Sequence, residues 1–243
     1  GLVRSIKEQS RHSSYDCVVG ISGGVDSSYV LLKTLELGLR PYVVHMNNTW
    51  NDGLADLNIS RLINYTSQKL HVNLLNAREY DACLLALLKS HVVDLEILYD
   101  NASTWTCYNA AEKLGLKYIL GGHNNATEGY SMPPSWNWFK YDKRNIYSIS
   151  KLFQPDLTAI SNTYMGTLDY LRYTYLRQIQ IVPFLDFFNF SKNSAIDSLV
   201  SKFGYVPYPY KHYESRLTRF YQAYILPTKF NIDKRRGHLS ALI

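Results

Sequence analysis

The sequence predicts an α/β fold, a doubly wound parallel sheet with a mainly helical C-terminal extension. Three observations carry this. Short β-branched apolar runs alternate with longer stretches of helical periodicity up to Leu120, each run ends in a turn rich in glycine or asparagine, and the alternation stops after Ser131.

In chain order, Cys17 to Ile21 is too short for a helix and reads as a buried strand. Ser22-Gly23-Gly24-Val25-Asp26-Ser27-Ser28 then turns the chain. The glycine pair permits a sharp bend, and Asp26, Ser27 and Ser28 are suited to cap the helix that follows. Leu31 and Leu35 set that helix's apolar face, and Gly38 is placed to end it in a left-handed conformation. Pro41 to Met46 is a second strand, followed by a polar loop through Asp52 and a helix over residues 54–70. His71 to Leu75 is a third strand. Helices follow over Tyr80 to Val93 and Leu95 to Leu114, the last closed by Gly115, and Lys117 to Leu120 is the fourth strand.

From Ser131 a proline- and tryptophan-rich stretch breaks the rhythm, and a soft boundary falls near Ser150. It divides an ATP-binding domain, 1–150, from an acceptor-binding helical region, 151–243. In that region Leu217, Phe220, Tyr221 and Tyr224 form an apolar helical stripe, with Arg216 and Arg219 on another face.

Composition sets limits. The chain has 243 residues, 46% hydrophobic and 19% charged, so it is neither disordered nor too small to bury a core. It contains no apolar run long enough to span a membrane, and no signal-peptide core, which places it in the cytoplasm. Net charge +6 points to an anionic partner. Cys17, Cys83 and Cys107 are widely spaced and read as reduced core residues. Starting at Gly1 and stopping at Ile243 without a polar tail, the chain reads as a fragment of a longer one.

In an open parallel sheet the ligand lies beyond the carboxyl ends of the strands, so loops 22–28, 46–52 and 121–129 converge on one cleft. Strand, glycine turn and helix N-terminus make a phosphate cradle from Ser22, Gly23, Gly24 and Ser27. Asp26 would repel phosphate unless a divalent cation sits between, so Mg²⁺ is expected there. The spacing fits neither the Lys-bearing P-loop nor a G-x-G-x-x-G dinucleotide turn. Met46 offers its backbone to adenine, with Asn47 or Asn48 for the ribose. Gly122 permits close approach, His123 and Asn124 bring side chains to the phosphates, and Glu128 supplies a second carboxylate. Lys211, His212, Arg216 and Arg219 are candidates to grip the phosphates or carboxylate of a second substrate. A structural histidine and a solvated basic helix face are the plainer alternatives for His123 and for these bases.

Ser22 to Ser27 resembles the SGG-x-D-S signature of the PP-loop ATP pyrophosphatases, of adenine nucleotide alpha hydrolase-like fold. NNTWNDGLADLNI (47–59), GGHNNATEG (121–129) and above all KHYESRLTRFYQAYILPTKFNIDKRRGHLSALI (211–243) are similar to the N-acetyl sugar amidotransferase family of that superfamily. The likeness departs at Ala126 and Thr127, where many relatives carry an aspartate pair, leaving Glu128 as the loop's carboxylate.

The resemblance implies a role in bacterial surface-polysaccharide (lipopolysaccharide) biosynthesis, with ATP and Mg²⁺ as cofactors. The acetamido oxygen of a UDP-linked N-acetyl sugar attacks the α-phosphate of ATP, pyrophosphate leaves, and ammonia displaces AMP to give an acetamidino group. Asp26, His123, Lys211 and Arg216 are its candidate catalytic residues. No cysteine sits in an exposed elbow, so ammonia is expected from a separate glutaminase subunit, which the resemblance also implies. A homodimer is left open. Two rivals remain: a PP-loop enzyme modifying tRNA, disfavoured because no C-x-x-C is present, and a non-catalytic nucleotide-binding module. Nucleic acid is therefore not an expected partner.

Overall fold

The computed structural model describes residues 1–124, 138–157, 160–209 and 213–234. Five strands, β1 (Cys17–Gly20), β2 (Pro41–Asn47), β3 (Leu70–Leu74), β4 (Tyr118–Gly121) and β5 (Gln180–Pro183), form one sheet in the order β3-β2-β1-β4-β5. Every neighbouring pair runs parallel. Helices α1 (Leu2–Gln9), α2 (Val25–Glu36), α3 (Gly53–Thr66), α4 (Ala77–Lys89) and α5 (Ile97–Leu114) occupy the first half. After β4 come α6 (Lys143–Phe153) and α7 (Thr167–Leu171), the latter running into a π-turn over Arg172–Leu176. A 3₁₀ turn (Phe184–Phe187) follows β5. Then come α8 (Lys192–Phe203), α9 (Arg216–Phe220), a π-turn (Tyr221–Ile225) and α10 (Leu226–Phe230).

The doubly wound α/β reading holds. Strand side chains alternate between two apolar layers. Cys17, Val19, Val43, Leu120 and Val182 pack with Leu31 of α2, Leu62 of α3 and Leu199 of α8. On the other face Val18, Val44 and Ile119 pack with Tyr108 and Ala111 of α5. Each such Leu or Ile, fully buried, stabilises the fold by about 1.5–3 kcal/mol. A third cluster joins α4, α5 and α6 to the C-terminal helices, with Tyr80 stacked on Tyr164 at 4.6 Å between centroids.

Gly38 ends α2 as its sequence position suggested. Its φ is +66°, its N–H reaches the Leu35 carbonyl at 2.9 Å, and the Leu39 N–H reaches that of Thr34 at 3.1 Å. Two details differ from the sequence expectation. Nothing in the sequence pattern marked β5, whose four residues lie beyond residue 150 and whose only buried member is Val182. The apolar stripe after Arg216 is also rearranged: Leu217, Tyr221 and Leu226 are buried, whereas Phe220 and Tyr224 are 50% and 56% exposed and stack on each other. The π-turn is the reason. Its wider turn moves the inward positions to a spacing of four and then five residues, away from the regular α-helical register.

Candidate functional site

Strand order reverses between β1 and β4, and beyond their carboxyl ends lies a cavity of about 510 Å³. Ser22, Gly24, Asp26, Ser27, Met46, Gly122 and His123 line it, so all three expected loops contribute.

The turn is built by short-range geometry. Gly23 has φ +82°, and a Cβ there would lie 2.7 Å from the Ala55 carbonyl oxygen, so only glycine fits. Ser22 N–H donates to Ser27 Oγ at 3.2 Å, and the two hydroxyls are 3.2 Å apart. Asp26, Ser27 and Ser28 do not cap α2 as expected. Gly24 is the N-cap with no side-chain acceptor, and Ser28 Oγ–H turns back onto the Gly24 carbonyl at 2.7 Å. The first N–H groups of α2 are thus left without a side-chain cap at the wall of the cavity, which suits an anion.

Gly122 brings the second loop against this turn. A Cβ there would meet the Asp26 backbone and Cβ and the Ser27 nitrogen, all at 3.2 Å. His123 is exposed and lines the cavity. Asn124 is buried and donates to the Gly122 carbonyl at 3.0 Å; it shapes the loop and does not line the cavity. Glu128 and Lys211 lie outside the described residues, as do His212 and the remainder of the 125–129 loop.

His45 ties β2 to both sides of the cleft. Its Nδ1 is 2.8 Å from the Ile21 carbonyl and its Nε2 is 3.1 Å from Asn51 Nδ2. A carbonyl only accepts, so the proton is on Nδ1. Asn51 also bonds Asp56 and forms an antiparallel bridge with Ser215. The pairing continues as Asp52 N–H to Glu214 O (3.0 Å) and Arg216 N–H to Trp50 O (2.9 Å). Exposed Arg216 adds a guanidinium bond to Thr49 O at 3.2 Å, so it sits on the 47–52 loop and outside the cavity lining.

The structure adds lining residues that the sequence did not mark: Ser103, Thr104 and Thr106 of α5, Lys192 of α8, Tyr208 and Glu214. Lys192 is the only lysine or arginine among the described lining residues, and no ion pair within the described residues engages it. No local pattern around Ser191-Lys192 relates it to a loop 165 positions earlier, whereas Glu214 falls inside the block 211–243 that carried the family resemblance.

Cys17 and Cys83 are buried. Cys107 is half-buried: it packs against the core layer of Val18, Val44 and Ile119, as expected, and also lines the cavity. The cause is Gly20: a Cβ there would lie 3.0 Å from the Cys107 sulfur, so the missing side chain lets the thiol reach the cleft floor. Burial pushes this thiol up to about 12 and raises the other two as well, so all three are protonated near neutral pH.

A Mg²⁺ ion fits the donors present. Asp26 and Glu214 carry hard oxygen donors and line one cavity with Ser22 and Ser27, and Mg²⁺ commonly needs only one or two protein carboxylates when phosphates complete its shell. The described residues contain no cluster of three or more metal-ligating side chains.

Sheet order, glycine turn and uncapped helix together define a doubly wound α/β protein with a cavity at the point where its strand order reverses. More particularly, residues 214–243 match the family described as "LPS biosynthesis protein WbpG-like, C-terminal domain". The match falls on the block that carried the resemblance in the sequence. No curated protein matches the chain.

Among solved structures, the chain is similar to an NMN synthetase from Francisella tularensis, at 14% identity and TM-score 0.42, covering 86% of this chain and 95% of that one. It is also similar to an NH3-dependent NAD synthetase from Campylobacter jejuni, at 18% identity and TM-score 0.40 over 86% and 96%. An NAD+ synthetase from Burkholderia pseudomallei gives 15% identity and TM-score 0.33 over 83% and 86%. Scores this low carry neither substrate nor mechanism across. Among the described residues, no helix is long and apolar enough to cross a membrane.

Proposed function

We propose that this chain is an ATP-dependent amidotransferase of surface-polysaccharide assembly, which converts the acetamido group of a UDP-linked N-acetyl sugar to an acetamidino group with release of pyrophosphate and AMP. The observation that carries the reading is the meeting of two segments in one cavity. Asp26 of the glycine turn and Glu214, the first residue of the WbpG-like segment, both line it. An acceptor held by that segment would lie beside the phosphates of ATP, as in-line attack on the α-phosphate requires.

Each side chain then has a task. The first N–H groups of α2, with Ser22 and Ser27, receive the phosphates, and Lys192 neutralises charge as pyrophosphate leaves. Met46 borders the adenine end. His123 hydrogen-bonds a phosphate oxygen or takes a proton from the incoming ammonia. Arg216 and Lys211 hold the acceptor's diphosphate or carboxylate, and Asn124 keeps the Gly122 loop in place. Asp26, with Glu214 or Glu128, would hold a Mg²⁺ ion, which when bound would supply charge neutralisation on the phosphates. Residues 1–150 form the ATP-binding domain and 151–243 the acceptor-binding region in this scheme.

The protonated thiols, of which only half-buried Cys107 lines the cavity, support an external source of ammonia, because releasing it from glutamine normally takes a thiolate. A separate glutaminase subunit is the proposed partner.

The test is pyrophosphate release from Mg-ATP with ammonium, comparing UDP-linked N-acetyl sugars and uronic acids with bulk tRNA. Release stimulated by one sugar nucleotide, with AMP formed in step, is the expected result. Stimulation by tRNA alone would replace this reading with a nucleic-acid-modifying one.

A further inference from the structure

Two tyrosines outside the turn converge on one of its atoms. Tyr208 Oη–H donates to the Gly23 carbonyl at 3.1 Å and Tyr205 Oη–H at 3.3 Å. Tyr205 is 2% exposed, and its ring meets that of Tyr208 edge-on at 6.3 Å. Gly23 and Gly24 share a peptide plane, so a carbonyl drawn to the tyrosines directs the Gly24 N–H the opposite way, and that N–H reaches Ser22 Oγ at 3.4 Å. Gly24 and Ser22 both line the cavity.

A peptide between two glycines rotates easily, and with φ at +82° it has few intrinsic restraints. No side chain of the N-cap residue caps α2, so the N–H orientation at Gly24 rests on its long 3.4 Å contact with Ser22 Oγ and on what grips its partner carbonyl. Burial keeps both phenols protonated, with that of Tyr208 pushed up to about 12, so each remains a donor.

We infer that Tyr208, backed by Tyr205, is a positioning residue for phosphate binding: the two hydroxyls lock the Gly23–Gly24 peptide with its N–H toward the phosphates. The inference rests on the ATP-using reading of the cavity. It makes the 204–209 segment part of the nucleotide site, although more than 180 residues separate it from Ser22.

The experiment compares the wild-type chain with Tyr208→Phe and with Tyr205→Phe/Tyr208→Phe, each retaining its rings. Binding of inorganic pyrophosphate and of adenosine is measured by calorimetry, alongside thermal melts. Loss of the hydroxyls weakens pyrophosphate binding about tenfold, the equivalent of one hydrogen bond, while adenosine affinity stays within twofold. Equal pyrophosphate affinity in wild type and double variant overturns the positioning role and leaves the ATP-using reading intact. A parallel loss of both ligands with a lowered melting temperature assigns the tyrosines to packing only and overturns it too. If the wild-type chain binds neither ligand, the functional reading itself fails, and the positioning role with it.

Discussion

Asn58 and Val206 exchange two hydrogen bonds: Val206 N–H donates to Asn58 Oδ1 at 2.9 Å, and Asn58 Nδ2–H to the Val206 carbonyl at 3.0 Å. Asn58 is fully buried in α3, so this amide stands in for a strand partner and fixes the chain just before Tyr208. Asn58→Ala leaves the half-buried Val206 N–H and C=O without their side-chain partner. It is expected to cost about 1–3 kcal/mol in chemical denaturation and to weaken pyrophosphate binding in parallel. Unchanged stability would mean that water replaces the amide.

Gly23→Ala is the sharpest test of the turn. The new methyl would sit 2.7 Å from the Ala55 carbonyl oxygen, and φ is +82°. The conformational penalty alone is about 1–2 kcal/mol, before the backbone overlap is relieved. Loss of nucleotide-induced thermal stabilisation is expected, with a lowered melting temperature. By contrast Gly53→Ala meets nothing within 4 Å and should melt like wild type.

Four of the five strands and the cleft are legible in the sequence because they are written in local signals: short apolar runs, and glycine pairs after β1 and at the end of β4. What escaped notice was non-local. Lys192 reaches the cavity only because α8 packs against α2. Tyr205 and Tyr208 belong to a tyrosine- and proline-rich stretch whose partner is a carbonyl more than 180 positions away. Regular helical periodicity places Phe220 and Tyr224 inward because a π-turn leaves no trace in residue type.

Acid stability should report on Asp16. This carboxylate is 3% exposed. Burial works to raise it, but bonds from the Arg40 guanidinium and N–H and from Ser10 outweigh burial and hold it below the usual carboxylate range. A group depressed in the folded state stabilises above its unfolded value and loses that contribution as pH falls through the folded one. The melting temperature should therefore drop below about pH 4. In Asp16→Asn that acid limb should flatten, with lower stability at neutral pH. An acid limb identical to wild type would assign the pH dependence to other carboxylates.

Lys192 is predicted to act on charge. Lys192→Ala should raise the KM for ATP about tenfold or more, with little change in melting temperature because the side chain is only half-buried at the first turn of α8. Lys192→Arg should recover most of the affinity. Pyrophosphate inhibition measured on the three proteins separates this from a packing effect: a charge role weakens pyrophosphate in the alanine variant alone.

Asp26 and Glu214 pose the last question, since both carboxylates line the cavity proposed to hold phosphates, and the charges of both bear on Tyr205. Two negative groups beside a polyanion are tolerable only with a cation among them. Asp26→Asn should abolish pyrophosphate release while the protein melts at or above the wild-type temperature, because a like charge is removed. Glu214→Gln should leave turnover measurable but shift its dependence to higher Mg²⁺ concentration, with EDTA stopping both wild type and variant. If Glu214→Gln instead raised the KM for the sugar nucleotide at saturating Mg²⁺, its carboxylate would be facing the acceptor. The cation would then be held from the ATP side by Asp26.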